Sequence, residues 1–152
     1  MVYINKKTFD IVHSNLYNLD YVNDDNYEAV EEDFFMADEL IALPIQALNR
    51  KGYITYISCS GHPISVEFCA SSHTNGDISS WIIFNSEIYL SVVPLPPGFY
   101  TYTRFLHWTN DERIHIRKDY KGDNVYEIMR DIVESMEQLY EWALKLPDFK
   151  SE

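Results

Sequence analysis

Apolar and polar positions along this chain group into a series of short segments, each with its own period. Residues 2–4 and 9–13 are apolar-rich pieces, and residues 15–26 are dominated by Asn and Asp, a loop composition. From residue 27 to residue 50, Phe34, Phe35, Ala37, Leu40, Ile41, Ile45 and Leu48 recur at near-helical spacing with Asp38 and Glu39 outward, which predicts a helix. Pro44 lacks an amide hydrogen, so a kink or a second helix start is expected there. Gly52 fits the C-cap of that helix, with Arg50 and Lys51 placed at the negative end of its dipole.

Residues 53–58 read Tyr-Ile-Thr-Tyr-Ile-Ser, a run of strand formers that leads directly into Cys59-Ser60-Gly61-His62-Pro63. A second strand is expected over residues 64–70, a turn over 71–77, and a buried strand at Trp81-Ile82-Ile83-Phe84. Pro97-Gly98 suits the centre of a type II turn. Two strands, 100–108 and 113–120, flank Thr109-Asn110-Asp111-Glu112. In the second of these, Ile114 and Ile116 alternate with Arg113, His115 and Arg117, which puts the cationic groups on one face. Val125, Ile128, Met129, Ile132, Met136, Leu139, Tyr140, Ala143 and Leu146 then form one apolar stripe of a long C-terminal helix that Pro147 ends. The pattern predicts one α+β domain over residues 1–152. Its sheet is mixed or mostly antiparallel, with 53–58 as the central strand and the helices packed on it.

Composition supports a folded chain of about one domain: 152 residues, 46% of them aliphatic or aromatic, including 12 Tyr, 8 Phe and 3 Trp. No run approaches the roughly 20 apolar residues of a membrane span, and the first twenty residues lack the regions of a signal peptide, so a cytoplasmic location without membrane contact is expected. Cys59 and Cys69 are too few for a disulfide framework, and two free thiols are expected. The net charge is −12, and residues 8–49 carry ten acids with no Lys or Arg. Nucleic-acid binding draws most of its non-specific affinity from basic groups, so the charge argues against a nucleic-acid partner.

The segment that carries chemistry is the Cys59-Ser60-Gly61-His62 loop. Glycine admits positive φ and close ligand approach, so neighbouring amides can converge on an anion. Cys59 and His62 are the candidate catalytic pair, because an imidazole within reach of a thiol can activate it. The plainer reading is a buried Cys and a surface His beside an ordinary turn. Zinc is a further alternative, with Cys59, His62, Cys69 and His73 as four donors. If residues 64–70 are extended at about 3.3 Å each, the two pairs lie roughly 20 Å apart, so no shared metal is expected. The face of Arg113, His115 and Arg117 is a candidate anion-binding wall, or else the solvated side of an amphipathic strand.

The stretch from Ile45 to His62, with Leu48-Asn49-Arg50-Lys51-Gly52-Tyr53 before Cys59-Ser60-Gly61-His62, resembles a set of small uncharacterised bacterial and phage proteins. These share a Leu-Asn-x-Lys-Gly-Tyr and Cys-Ser-Gly-His order, with Ile83-Phe84 and the segment from Leu95 to Phe99 matching downstream. The resemblance implies no activity. A more distant similarity, through Thr55, Ser58, Cys59, Ser60, Gly61 and Trp81, is to the wybutosine-synthesis methyltransferase family, which modifies transfer RNA with S-adenosylmethionine. His62 stands where that family has arginine. Together these readings make Ser58, Cys59, Ser60, Gly61, His62, Arg113 and Arg117 the candidate site for a small anionic or nucleotide-like ligand. No cofactor is identified. The alternative is a non-catalytic interaction or regulatory factor that docks a protein partner through the acids of residues 20–39.

Overall fold

The computed structural model describes residues 2–13, 32–62, 78–85 and 93–149, and every strand pairing among them is antiparallel. The first sheet begins as a hairpin of β1 (Val2–Asn5) and β2 (Ile11–His13). Its turn is held by the Asn5 side chain, whose Oδ1 accepts the amides of Lys7 and Thr8 at 2.8 and 3.0 Å. The third strand, β3 (Phe34–Ala37), pairs with β1 from Val2↔Ala37 to Asn5↔Phe34. Here the helix expected over residues 27–50 is corrected for residues 34–37. Phe34-Phe35-Met36-Ala37 is a short apolar run that fits either period, and pairing with a distant strand decides it. Residues 27–31 lie outside the described part, as do the loop, strand and turn expected over 15–26, 64–70 and 71–77.

A 3-10 turn, Glu39–Ile41, leads into α1 (Ala42–Arg50). Pro44 falls in the first turn, where its missing amide hydrogen would have no intrahelical partner in any case, and the helix start expected at Pro44 is found two residues earlier, at Ala42. Gly52 closes α1 as expected: at φ 93° it lets its own amide reach Asn49 O at 3.0 Å and the Tyr53 amide reach Leu48 O at 2.9 Å.

The second sheet comprises β4 (Thr55–Cys59), β5 (Ser79–Phe84), β6 (Tyr100–Leu106) and β7 (Asp111–Asp119), in the order β4-β5-β7-β6. The segment expected to be central, 53–58, is therefore an edge strand of the described sheet, and β5 and β7 occupy the middle. That explains why β5 is buried along its length except at Trp81. Between β5 and β6, Pro97-Gly98 makes the expected turn: Gly98 has φ 81°, and the Phe99 amide donates to Pro96 O at 3.1 Å.

The long helix α2 (Val125–Lys145) starts where the Asn124 side chain accepts the Glu127 amide at 2.9 Å. Its stripe of Ile128, Ile132, Met136, Leu139 and Ala143 is buried as the periodicity predicts. It lies on the face of the second sheet that carries Ile82, Ile116 and Tyr120, in one core with Ile4, Ile41, Ile45 and Leu48. Lys118 of β7 joins that face to the helix through Asp131 and Ser135. Beyond α2, Tyr53 Oη donates to Pro147 O at 2.6 Å and the Phe149 amide donates to Lys51 O at 2.7 Å, fastening the last described residues to the end of α1. The chain is an α+β single domain. No helix among the described residues is long and apolar enough to cross a membrane.

Candidate functional site

The loop at residues 59–62 leaves the edge strand β4 between the two sheets. Gly61 turns the chain at φ 98°. A Cβ placed there would stand 3.2 Å from Ser79 O and 3.3 Å from Ile132 Cδ1. The glycine therefore serves close packing on β5 and α2.

Asp38, which joins β3 to the 3-10 turn, reaches across to this loop. Its Oδ2 accepts the Ser60 amide at 2.8 Å and Ser60 Oγ at 3.2 Å, and lies 3.0 Å from His62 Nε2. The converging donors expected to bind an external anion are thus already turned toward an internal carboxylate. On the other side Ser60 O accepts Ser80 Oγ at 2.6 Å, and Ser80 Oγ shares a 2.7 Å hydrogen bond with Tyr120 Oη. The loop backbone is held from both sides, and Ser60 is buried.

The Cys59 thiol accepts the Gly61 amide at 3.4 Å. Burial pushes its pKa up, the Gly61 amide opposes that, and the Asp38 carboxylate adds to it. Such a thiol holds its proton more firmly than a free cysteine, which is the reverse of what an activated nucleophile requires. His62 Nε2 faces the Asp38 carboxylate at 3.0 Å. Even so, Cys59 Sγ, a His62 ring nitrogen and an Asp38 carboxylate oxygen all lie within 4.8 Å of one another. Cys69 and His73, the other two donors weighed for zinc, lie outside the described residues.

The remaining candidates separate by face. Ser58 pairs with Ile82 and so points to the α2 side of the sheet, away from Cys59. Cys59 pairs with Trp81, Trp81 with Arg117, and Arg117 with Tyr100, one cross-strand row on the opposite face. The next row is Ile57, Ile83, His115 and Tyr102. The structure thus brings Arg117 onto the face of Cys59, two strands away. Arg113 shares that face, but its side chain is committed: it donates to Asp111 at 2.9 Å and to Asn85 O at 3.0 Å, and lies 5.0 Å over the Tyr56 ring. Arg117 is oriented by Asp119 at 2.8 Å, with Tyr102 as a further hydrogen-bonding neighbour.

Sequence reasoning treated His115 as one more cation of an amphipathic strand. It is instead buried at 3% exposure, with its ring 4.7 Å from that of Tyr102 and its Nε2 without a hydrogen-bond partner among the described residues. Burial, followed by the guanidinium charges of Arg104 and Arg117, holds its pKa below the usual histidine range. Asp38 is the residue that sequence reasoning missed at the loop, and the burial of His115 is what it missed on the strand. Asp38 carries no signal, because it stands 22 residues from Ser60. His115 had one: it is the only ring among arginines in the alternating strand.

A separate cleft of about 200 Å³ lies between the proline-rich segment and α2, lined by Val93, Pro94, Pro96, Pro97 and Trp142 among others; no residue of the 59–62 loop lines it. No protein-family model matches the chain, and comparison with curated proteins and with solved structures gave no match.

Proposed function

We propose that this protein binds a small anionic, aromatic ligand of the nucleotide class on the sheet face that runs from Cys59 across Trp81 to Arg117 and Tyr100. The observation that carries the reading is His115, a buried imidazole whose Nε2 has no hydrogen-bond partner among the described residues, set in the neighbouring row of that face. Leaving such an atom unpaired costs about 1–3 kcal/mol, and native structures seldom keep that cost without a ligand, a water or a function to explain it. The surroundings suit an anion with a ring. Among the described residues of this face, Arg104, Arg113 and Arg117 outnumber Asp111 and Asp119, against a chain that carries −12 overall. Trp81, Tyr100 and Tyr102 offer ring faces. A guanidinium has five N–H donors, so Arg117 can serve Asp119 and a phosphate or carboxylate together.

The motif likeness to the Cys-Ser-Gly-His proteins and to an S-adenosylmethionine-dependent family points to the same end of the sheet, and S-adenosylmethionine therefore joins the ligands to be tried. The test is a thermal-shift screen of nucleotides, S-adenosylmethionine and phosphorylated metabolites on the wild type and on Arg117→Gln and His115→Phe. A ligand at about 100 times its Kd should stabilise the wild type by about 2.7 kcal/mol, and both variants much less. Equal stabilisation of all three proteins, or no stabilising ligand in the set, overturns the reading. The interaction alternative, docking through the acids of residues 20–39, rests on charge alone.

A further inference from the structure

We propose that Asp38, Cys59 and His62 form a binding site for a borderline-soft divalent cation, zinc first, at the edge of the second sheet. Cys59 also ends the row proposed for the ligand, but Asp38 and His62 stand outside that row. A thiolate, an imidazole and a carboxylate are the three side-chain types that bind zinc, at about 2.3, 2.0–2.1 and 2.0–2.2 Å. Bonds of that length at tetrahedral angles separate the donor atoms by roughly 3.3–3.8 Å. In this structure the three donors already lie within 4.8 Å of one another, with His62 Nε2 and Asp38 Oδ2 at 3.0 Å. Side-chain adjustments of about 1 Å would bring all three to one centre.

The supports around the donors fit the assignment. Asp38 has a side chain only 12% exposed and is oriented by the Ser60 amide and hydroxyl, as ligating carboxylates usually are by outer-shell donors. Ser60 is fixed in turn through Ser80 and Tyr120. Two donors thus sit on backbone that is held rigidly. The third, His62, has a side chain 61% exposed and can swing its Nε2 from Asp38 toward the cation. Three protein donors leave a fourth position for water or a ligand. When the cation binds, the Cys59 thiol releases its proton to solvent and the sulfur takes the metal in its place. Soft sulfur beside nitrogen and oxygen favours zinc or cobalt over magnesium or calcium, which prefer oxygen alone.

The test uses the full chain, stripped with a chelator and titrated with zinc by calorimetry and with cobalt by absorption. The wild type should take one zinc per chain, and its cobalt form should show thiolate-to-cobalt charge transfer in the near ultraviolet. Cys59→Ser should abolish that band. His62→Ala and Asp38→Asn should each weaken zinc binding by at least about tenfold, the lower end of what loss of even an outer-shell partner costs. His62 is exposed and contributes nothing to the core, so its variant remains informative even if Asp38→Asn folds poorly. Magnesium should not compete. Zinc bound equally well by Cys59→Ser and His62→Ala, a cobalt complex without the sulfur band, or no zinc uptake by the wild type would overturn the proposal.

Discussion

Replacing Gly61 with alanine separates two roles for the loop glycine. If the glycine exists to let a ligand approach, a methyl group blocks binding and leaves stability alone. The geometry gives the opposite result. At φ 98° an L-residue is strained, at about 1–2 kcal/mol. The added Cβ also falls 3.2 Å from Ser79 O and 3.3 Å from Ile132 Cδ1, closer than ordinary contact. The oxygen belongs to the backbone of an interior strand and cannot move far, so compression adds on the order of 1 kcal/mol. Gly61→Ala should therefore cost about 2–3 kcal/mol, or about 4–12 °C in Tm for a chain of this size. Urea denaturation measures it, with an unchanged m-value showing that the cost is one of stability. Ile132→Val deletes the Cδ1 atom and alone should cost about 0.5–1.5 kcal/mol. Because it relieves half of the clash, the double variant should be more stable than the sum of the two single losses implies. A Gly61→Ala loss below about 0.5 kcal/mol, or strict additivity, would show that the glycine does not face the core.

Leu139→Ala removes a fully buried side chain from the centre of the α2 stripe and should cost about 2–5 kcal/mol in the same assay; a loss under about 0.5 kcal/mol would place that stripe outside the core. The buried His115, faced by Tyr102, Arg104 and Arg117, has a lowered pKa in the folded state, so the unfolded chain binds the proton more readily. Its contribution is complete above the unfolded value of about 6.5 and is lost as pH falls from there toward the folded pKa. Between pH 7 and pH 5 the wild type should thus lose more stability than His115→Phe, and parallel pH profiles would contradict the assignment.

How much of this was legible in the sequence varied with the range of the interaction involved. The α2 stripe, the Gly52 cap and the Pro97-Gly98 turn depend on residues within a few positions of one another, and each stands where the pattern put it. Phe34-Phe35-Met36-Ala37 failed because a four-residue apolar run carries no decisive period, and its partner β1 begins at Val2. The placing of 53–58 at the sheet centre failed for a related reason: strand-forming residues reveal a strand but not its neighbours. The loop at 59–62 was visible as a motif, yet the carboxylate that turns its donors inward comes from Asp38, beyond the whole of α1. Arg113 and Arg117 were placed correctly on one face, but the partners that commit the first, Asn85 and Tyr56, come from other parts of the chain.

The fastening of Phe149 to Lys51 and of Pro147 to Tyr53 bears on how the chain takes shape while it is being made. A ribosome adding about 5–20 residues per second needs roughly 5–20 s after α1 has been synthesised to deliver the residues that close over it. During that interval the apolar sides of Ile41, Ile45 and Leu48 have no α2 to cover them. Folding of the early half is therefore completed by the late half, and pauses in translation before residue 125 prolong the period in which the nascent chain can stick to its neighbours.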